Sequence, residues 1–404
     1  MAELQETLEY IDGRAASASA LFGGEGRAIS SAARARSKAA NPEYMATLIE
    51  VARICAGARK GNPWDEYRLK EAMSTSDFPL YFGDILDRTL ITKYRSIDPL
   101  YQRYAQVREL RDFRTANIFA FDGAQAQLDV VPELTEYPGA VLSETRYQIA
   151  VAKHGRRIPV SWEAIVNDDQ NIFNDIPSRF ADSSNRSKEK DVAKLFVDAS
   201  GPHATLFNNT NKNLVNIANG AASNNPTLSI SGIQEGLKVL ARQVDADGEP
   251  IIFDSLELVV PLALGPTADQ IIKTTEYLVL DTGTASNLLP SRRIGGNGIG
   301  TPLRVSINPY ISSIGTTNGT TSWFLFATPY AGVRTALIYA NLRGHVGPEM
   351  FVKDPDQRRL GGGGDIAPLE GDFDTDAIQY KVRDTWGTAR GDPKTAVASN
   401  GSGA

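Results

Sequence analysis

The stretch from Leu128 to Phe196 constrains this chain most. It reads as two extended segments, LDVVPEL and SETRYQIAVAKHGRRIPVS, around a Pro138-Gly139 turn, then one long polar helix over about Asp175 to Ala199. Asn174 or Asp175 is expected to cap that helix, with Pro177 in its first turn, where a missing N–H is harmless. A two-stranded ribbon alone is marginal in water. The helix has a thin apolar stripe, Ile176, Phe180, Val192, Leu195 and Phe196, broken by Ser183, Ser184 and Ser187. A helix this polar all round depends on neighbours. A projecting ribbon beside a partner-dependent helix points to a subunit completed by copies of itself.

Composition narrows the class. At 404 residues the chain can bury a sizeable core in two or three domains. Charged residues make up 22%, too few for a globally disordered chain. The net charge of -6 argues against a dedicated nucleic-acid binder with a basic surface. Cys55 is alone, which rules out an intrachain disulfide and suits a reducing cytosol. The N-terminus, MAELQETLEYIDGR, is no signal peptide, and the longest apolar run, Leu258–Leu264, is too short to span a bilayer, so no membrane partner is expected.

Along the chain the pattern is mixed α+β with mostly antiparallel strands. Residues 41–61 read as a helix with Asn41 as N-cap and Tyr44, Leu48, Val51 and Cys55 on one face. A second helical block spans 76–108, with Leu86, Leu90, Ile91 and Tyr94 on one face and Tyr101, Tyr104 and Val107 on another. A strand follows around Ile118 and Ala120. Ser231 to Gln234 has the form of a capping box before an amphipathic helix. After the strand LELVV comes a short helix opened by Gly265-Pro266, with Ala268, Ile271 and Ile272 inward. Strands are expected at Leu303–Ile307, Trp323–Ala327, Thr335–Ala340 and Asp376–Arg383, and the Ser/Gly/Ala-rich tail from Gly391 as mobile.

No catalytic, cofactor or metal site emerges. His154, His203 and His345 lie in different segments without Cys or His at ligand spacing. No nucleophile elbow, P-loop or H-E-x-x-H occurs. Ile294–Gly300, with Gly295, Gly296, Asn297 and Gly298, leads into a strand rather than a helix, so it reads as a loop and not a dinucleotide site. Asp372, Asp374 and Asp376 break the calcium-loop pattern at Ala377 and Arg383. The long helix carries Arg179, Arg186, Lys188, Lys190 and Lys194, a candidate face for nucleic acid, but Asp182, Glu189 and Asp191 dilute it, so it reads more as a solvated or salt-bridged face.

The order of these pieces resembles the major capsid proteins of tailed bacteriophages, with the Hong Kong ninety-seven-type shell fold, and is nearest in flavour to Mu-like head subunits. The likeness rests on STSDFPLYFGDILDRTL (Ser74–Leu90), ELTEYPGAVLSETRYQIAVAKHGRRIPVSWEAIVNDD (Glu133–Asp169), VDADGEP (Val244–Pro250), ELVVPLALGPTADQII (Glu257–Ile272) and FDTDAIQYKVRDTWG (Phe373–Gly387). It implies an N-terminal helical extension over 1–75, an N-arm and start of the peripheral domain over 76–127, and an extended β-ribbon loop over 128–165. It further implies a peripheral domain with the spine helix over 166–250, an axial domain over 251–348, a return to the peripheral domain over 349–390, and a flexible tail over 391–404.

The implied function is a non-enzymatic subunit forming pentamers and hexamers of an icosahedral head in the virion. It would assemble in the host bacterial cytoplasm around double-stranded DNA held weakly, beside a portal and scaffold or decoration proteins. Glu133, Glu136, Glu144, Arg146, Arg156 and Arg157 are the inter-subunit candidates, Gly295, Gly296, Asn297 and Gly298 the axial-loop candidates, and Arg179, Arg186, Lys190 and Lys194 the inner-face candidates. No cofactor is implied. With no ribbon Lys between Asp122 and Ala152, the family's covalent crosslink is not expected, and with Met1 present no large N-terminal segment is expected to be lost. The alternative is an encapsulin-like cellular shell around enzyme cargo.

Overall fold

The computed structural model describes Trp64 and residues 90–122, 130–137, 139, 143–161, 172–245, 247–274, 276–281, 291–296, 299, 302–329, 334–353 and 372–403. The chain divides into two units, Met1–Tyr81 and Phe82–Ala404. The architecture below is that of the second unit. The expected helix over 41–61 lies outside the described residues.

One sheet carries the long helix. Its strands are β1 (Gln106–Leu110), β12 (Leu337–Leu342), β14 (Ala377–Arg390) and β13 (Glu349–Val352), with β4 (Ala152–Ser161) on the other edge of β14. Only β1 and β12 run parallel here. Alternation along β14 decides its faces. Ile378, Tyr380, Val382, Asp384 and Trp386 are buried, and Ile378, Tyr380 and Val382 share a cluster with Ile176 and Phe180 of α2 (Ile172–Phe196). α1 covers residues 90–96.

α2 begins before the expected cap, so Asn174 and Asp175 lie within it and Pro177 sits inside the helix. Its buried stripe does not stop at the serines. Ser184, Asn185, Lys188 and Glu189 continue it at helical spacing between Phe180 and Val192. The expectation of a helix short of partners is therefore corrected: its own chain covers it, using polar groups where apolar ones were sought.

The second sheet has the order β10 (Leu303–Ile307), β7 (Leu256–Val260), β11 (Trp323–Ala327), β15 (Ala396–Ser399). Here β10 and β7 are parallel and the other pairs antiparallel. α3 (Ile230–Ala241) packs against it, Ile233, Val239 and Leu240 joining Leu258 and Leu325 in one cluster. Its N-cap is Ser229, whose Oγ accepts from Gly232 N–H at 3.0 Å, two residues before the expected box. α4 (Gly265–Lys273) turns Ala268 and Ile271 inward, but Ile272 is partly exposed.

The segment from Gly391 is no mobile tail. All four residues of β15 are buried, Ala396 and Ala398 in one core cluster and Val397 in the other. Gly391 N–H donates to Ala336 O at 2.8 Å and Gly403 N–H to Asn225 O at 2.8 Å. Small residues are required because the strand threads between packed layers; a Cβ at Gly401, where φ is +67°, would lie 2.1 Å from Thr321 O.

Candidate assembly surfaces

The ribbon has a different composition from the one expected. β3 (Ser143–Ile149) pairs antiparallel with β2 (Ala116–Asp122), from Ala116↔Ile149 to Asp122↔Ser143. β4 leaves the ribbon and pairs with β14 over its whole length. The second expected segment, 143–161, divides at Ala150 into β3 and β4, and Ile149 and Val151 both enter the apolar cluster with Ile338, Ala340 and Leu342. Ala116, Ile118 and Tyr147 pack against the same cluster, anchoring the ribbon on the sheet face away from α2.

The other ribbon face is exposed. It carries Asn117, Phe119, Glu144, Arg146 and Gln148, with Arg146 directly across from Phe119 and Gln148 Nε2 donating to Asn117 Oδ1 at 3.2 Å. Between the strands, Val130, Leu134 and Tyr137 are 94%, 106% and 81% exposed, with Glu133 and Glu136 exposed among them. Leu134 has φ +61°, a left-handed conformation unfavourable for a γ-branched residue.

Arg156 and Arg157 are exposed on β4, not on the ribbon, and strand alternation sends them to opposite faces. Arg157 lies across from Lys381, which lies across from Phe351; the next row is Gly155, Arg383 and Glu349. Lys381 Nζ and the Arg383 guanidinium sit 4.9 and 4.7 Å from the Phe351 ring centroid. Glu349 is claimed by Arg383 and by His345 Nδ1 at 2.6 Å, and these hydrogen bonds hold its carboxyl below the usual range despite partial burial. This sheet face, with Lys153 in the same alternation, is dominated by positive charge.

A second basic surface lies on α2. The exposed charged residues among its described side chains are Arg179, Arg186, Lys190 and Lys194. Of the three acids expected to dilute them, Glu189 is buried and Asp191 accepts from Trp386 Nε1 at 3.2 Å and Lys194 at 2.9 Å, while Asp182 stays half-exposed. Underneath, Lys188, with 0% exposure, meets Asp384 at 2.8 Å and donates to Tyr94 Oη at 2.7 Å; Ser184 Oγ donates to the same Asp384 carboxylate at 2.5 Å.

Gly295 and Gly296 are not in a loop. They pair with Tyr277 and Glu276 where β9 (Ser291–Gly296) meets β8 (Glu276–Asp281), and these strands connect through 282–290, at the opposite end. Asn297 and Gly298 lie outside the described residues. Asp372 closes a turn, its carboxylate accepting from Thr375 Oγ1 at 2.7 Å and Ala377 N–H at 3.2 Å, which lowers its pKa to about 2. Among the described residues, no group of three or more His, Cys, Asp or Glu is placed to hold a metal, and no helix is long and apolar enough to cross a membrane.

The model of a family described as phage capsid protein matches residues 144–399, more than half of the chain. Solved structures with a similar fold include the Cyanophage Pam1 capsid asymmetric unit, 13% identical, covering 74% of this chain and 88% of that one with a TM-score of 0.43. Others are a chain of Mycobacterium phage Bobi, 10% identical, covering 74% and 89% with a TM-score of 0.42, and the virus-like particle from Pyrococcus furiosus, 10% identical, covering 78% and 98% with a TM-score of 0.39. No curated protein matches the chain. With the family match spanning the ribbon strand β3, the long helix α2, the second sheet and every strand of the first but β1, the chain belongs to the phage capsid protein family, and its role is that of a major capsid shell subunit.

Proposed function

We propose that this subunit builds the icosahedral head of a tailed bacteriophage from pentamers and hexamers, enclosing double-stranded DNA, and that its nearest kin are Mu-like head subunits. One observation carries the assembly reading: the ribbon ends in Val130, Leu134 and Tyr137, almost fully exposed around Glu133 and Glu136. Large exposed apolar side chains on a projection mark a contact surface. Their complement is the positive sheet face of a neighbouring copy, with Arg157 and Lys381 meeting the acids and Phe351 offering an apolar seat. Charges at such a contact set register and reject wrong partners.

The basic stripe of the spine helix suits the lumen, where packaged duplex contacts phosphates without sequence preference. The α2 side serves as the peripheral domain and the β7–β11 side as the axial domain; assembly in the host bacterial cytoplasm beside a portal, with scaffold or decoration proteins, completes the reading. The alternative, an encapsulin-like shell around enzyme cargo, is less supported because the family match is to phage capsid protein.

The test reverses charges on both sides of the contact. Glu133→Lys with Glu136→Lys is expected to leave folded subunits without particles, and adding Arg157→Glu with Lys381→Glu to restore them. Normal particles from the first double variant would contradict the proposed contact.

A further inference from the structure

On the spine helix, Asn185 and Glu189 lie one turn apart on the buried face, 6% and 9% exposed. Each keeps one buried polar atom without a partner: a donor, Asn185 Nδ2, and an acceptor, Glu189 Oε2. The other oxygen of Glu189, Oε1, accepts from Tyr101 N–H at 3.2 Å. Tyr101 belongs to a 3-10 turn, Leu100–Arg103, that links α1 to β1. The preceding residue of α2, Lys188, holds α1 through Tyr94 Oη at 2.7 Å. Two consecutive buried side chains of the spine thus grip the incoming segment at two points.

The two grips differ in chemistry. Lys188 has Asp384 as counter-ion. Among the described residues Glu189 forms no salt bridge: the cation that acts on it, Arg103, pairs with Asp98 at 3.2 Å in an exposed position. The other groups that act on it or feel its charge are Asp98, Tyr101, Tyr104 and Tyr310, with Arg186 also acting on Tyr310 and Glu257 on Tyr104. The three tyrosines are raised by burial and stay neutral near physiological pH. Glu257, also raised by burial, is held by Ser306 Oγ. A lone buried carboxylate with half its hydrogen-bonding capacity unused is costly when ionised.

We propose that Glu189 is a proton-gated latch for residues 98–105: the turn stays docked on the spine helix while the carboxyl is neutral and loosens when it ionises. Burial pushes Glu189 up to about 7 from an ordinary 4.5, with the N–H groups of Leu100 and Tyr101 pulling the other way; the Leu100 group acts without a well-formed hydrogen bond. The sign follows from linkage. A raised folded-state value means the docked form binds the proton more tightly, so docking is strongest below 4.5 and weakens as pH rises to about 7.

The test is hydrogen exchange on the full chain, read at the amides of 100–105 and corrected for intrinsic exchange. Protection in the unmodified chain should fall on the order of a hundredfold across the window from 4.5 to just above 7. Glu189→Gln should stay protected throughout, and Glu257→Gln should leave the fall in place. A flat profile in the unmodified chain, a persisting fall in Glu189→Gln, or its loss in Glu257→Gln overturns the latch. If Glu189→Gln does not fold, the other two profiles decide it. None of these outcomes depends on shell formation, so failure of the latch and failure of the assembly reading remain distinct.

Discussion

Lys188 and Asp384 form an ion pair beneath a helix whose sequence looked too polar to bury. The stripe was present at the right spacing, since Ser184 and Lys188 stand four and eight residues after Phe180, but residue type hid it. Only β14, nearly 200 positions later, supplies the carboxylate that makes burial of the lysine tolerable. Breaking such a pair leaves an uncompensated charge, which costs about 3–5 kcal/mol, whereas replacing both members by apolar groups is often close to neutral. Lys188→Met is therefore expected to lower the urea midpoint of the subunit strongly, and Lys188→Met with Asp384→Leu to recover most of the loss. Equal losses in the single and double variants would assign the stability to packing rather than charge.

Elements were legible where apolar residues declare them. Leu256–Val260, Leu303–Ile307 and Trp323–Ala327 fall as strands where their sequence places them. The ribbon was not, because strand partnership is non-local: Ser143–Ile149 reads equally well beside residues 128–134, yet it pairs with Ala116–Asp122. The last strand failed for another reason. Ala396–Ser399 has small residues where a core strand normally shows large ones, and its burial comes from an aromatic-rich cluster on the side of Ala396 and Ala398 and a mainly aliphatic one on the side of Val397. Val397→Asp should thus abolish soluble subunit, since an unpaired charge would enter a fully buried site; soluble protein in normal yield would show the tail to be dispensable. On β4 the two arginines should separate. Arg157→Glu, on the face with Lys381 and Phe351, should block particle formation, and Arg156→Glu, on the opposite face, should not. Sedimentation of the two variants checks this directly.

For the whole molecule, the sequence resemblance and the family match agree on a capsid subunit, while the surfaces that would make the shell are set by pairing and burial that no single segment reveals. The basic stripe on α2 offers four phosphate contacts from Arg179, Arg186, Lys190 and Lys194. Duplex binding by the subunit should therefore be weak, with a log–log salt slope no steeper than about -4, and a steeper slope would require further basic surface. With no lysine along 123–151, assembled shells should dissociate to monomers in hot denaturing detergent, and a ladder of covalent oligomers on a reducing gel would contradict that. Electron microscopy of the purified full chain tests the central claim most directly. Closed particles with five-fold and six-fold capsomers are expected; a well-folded monomer that forms no particle at high concentration under any assembly condition would contradict the account.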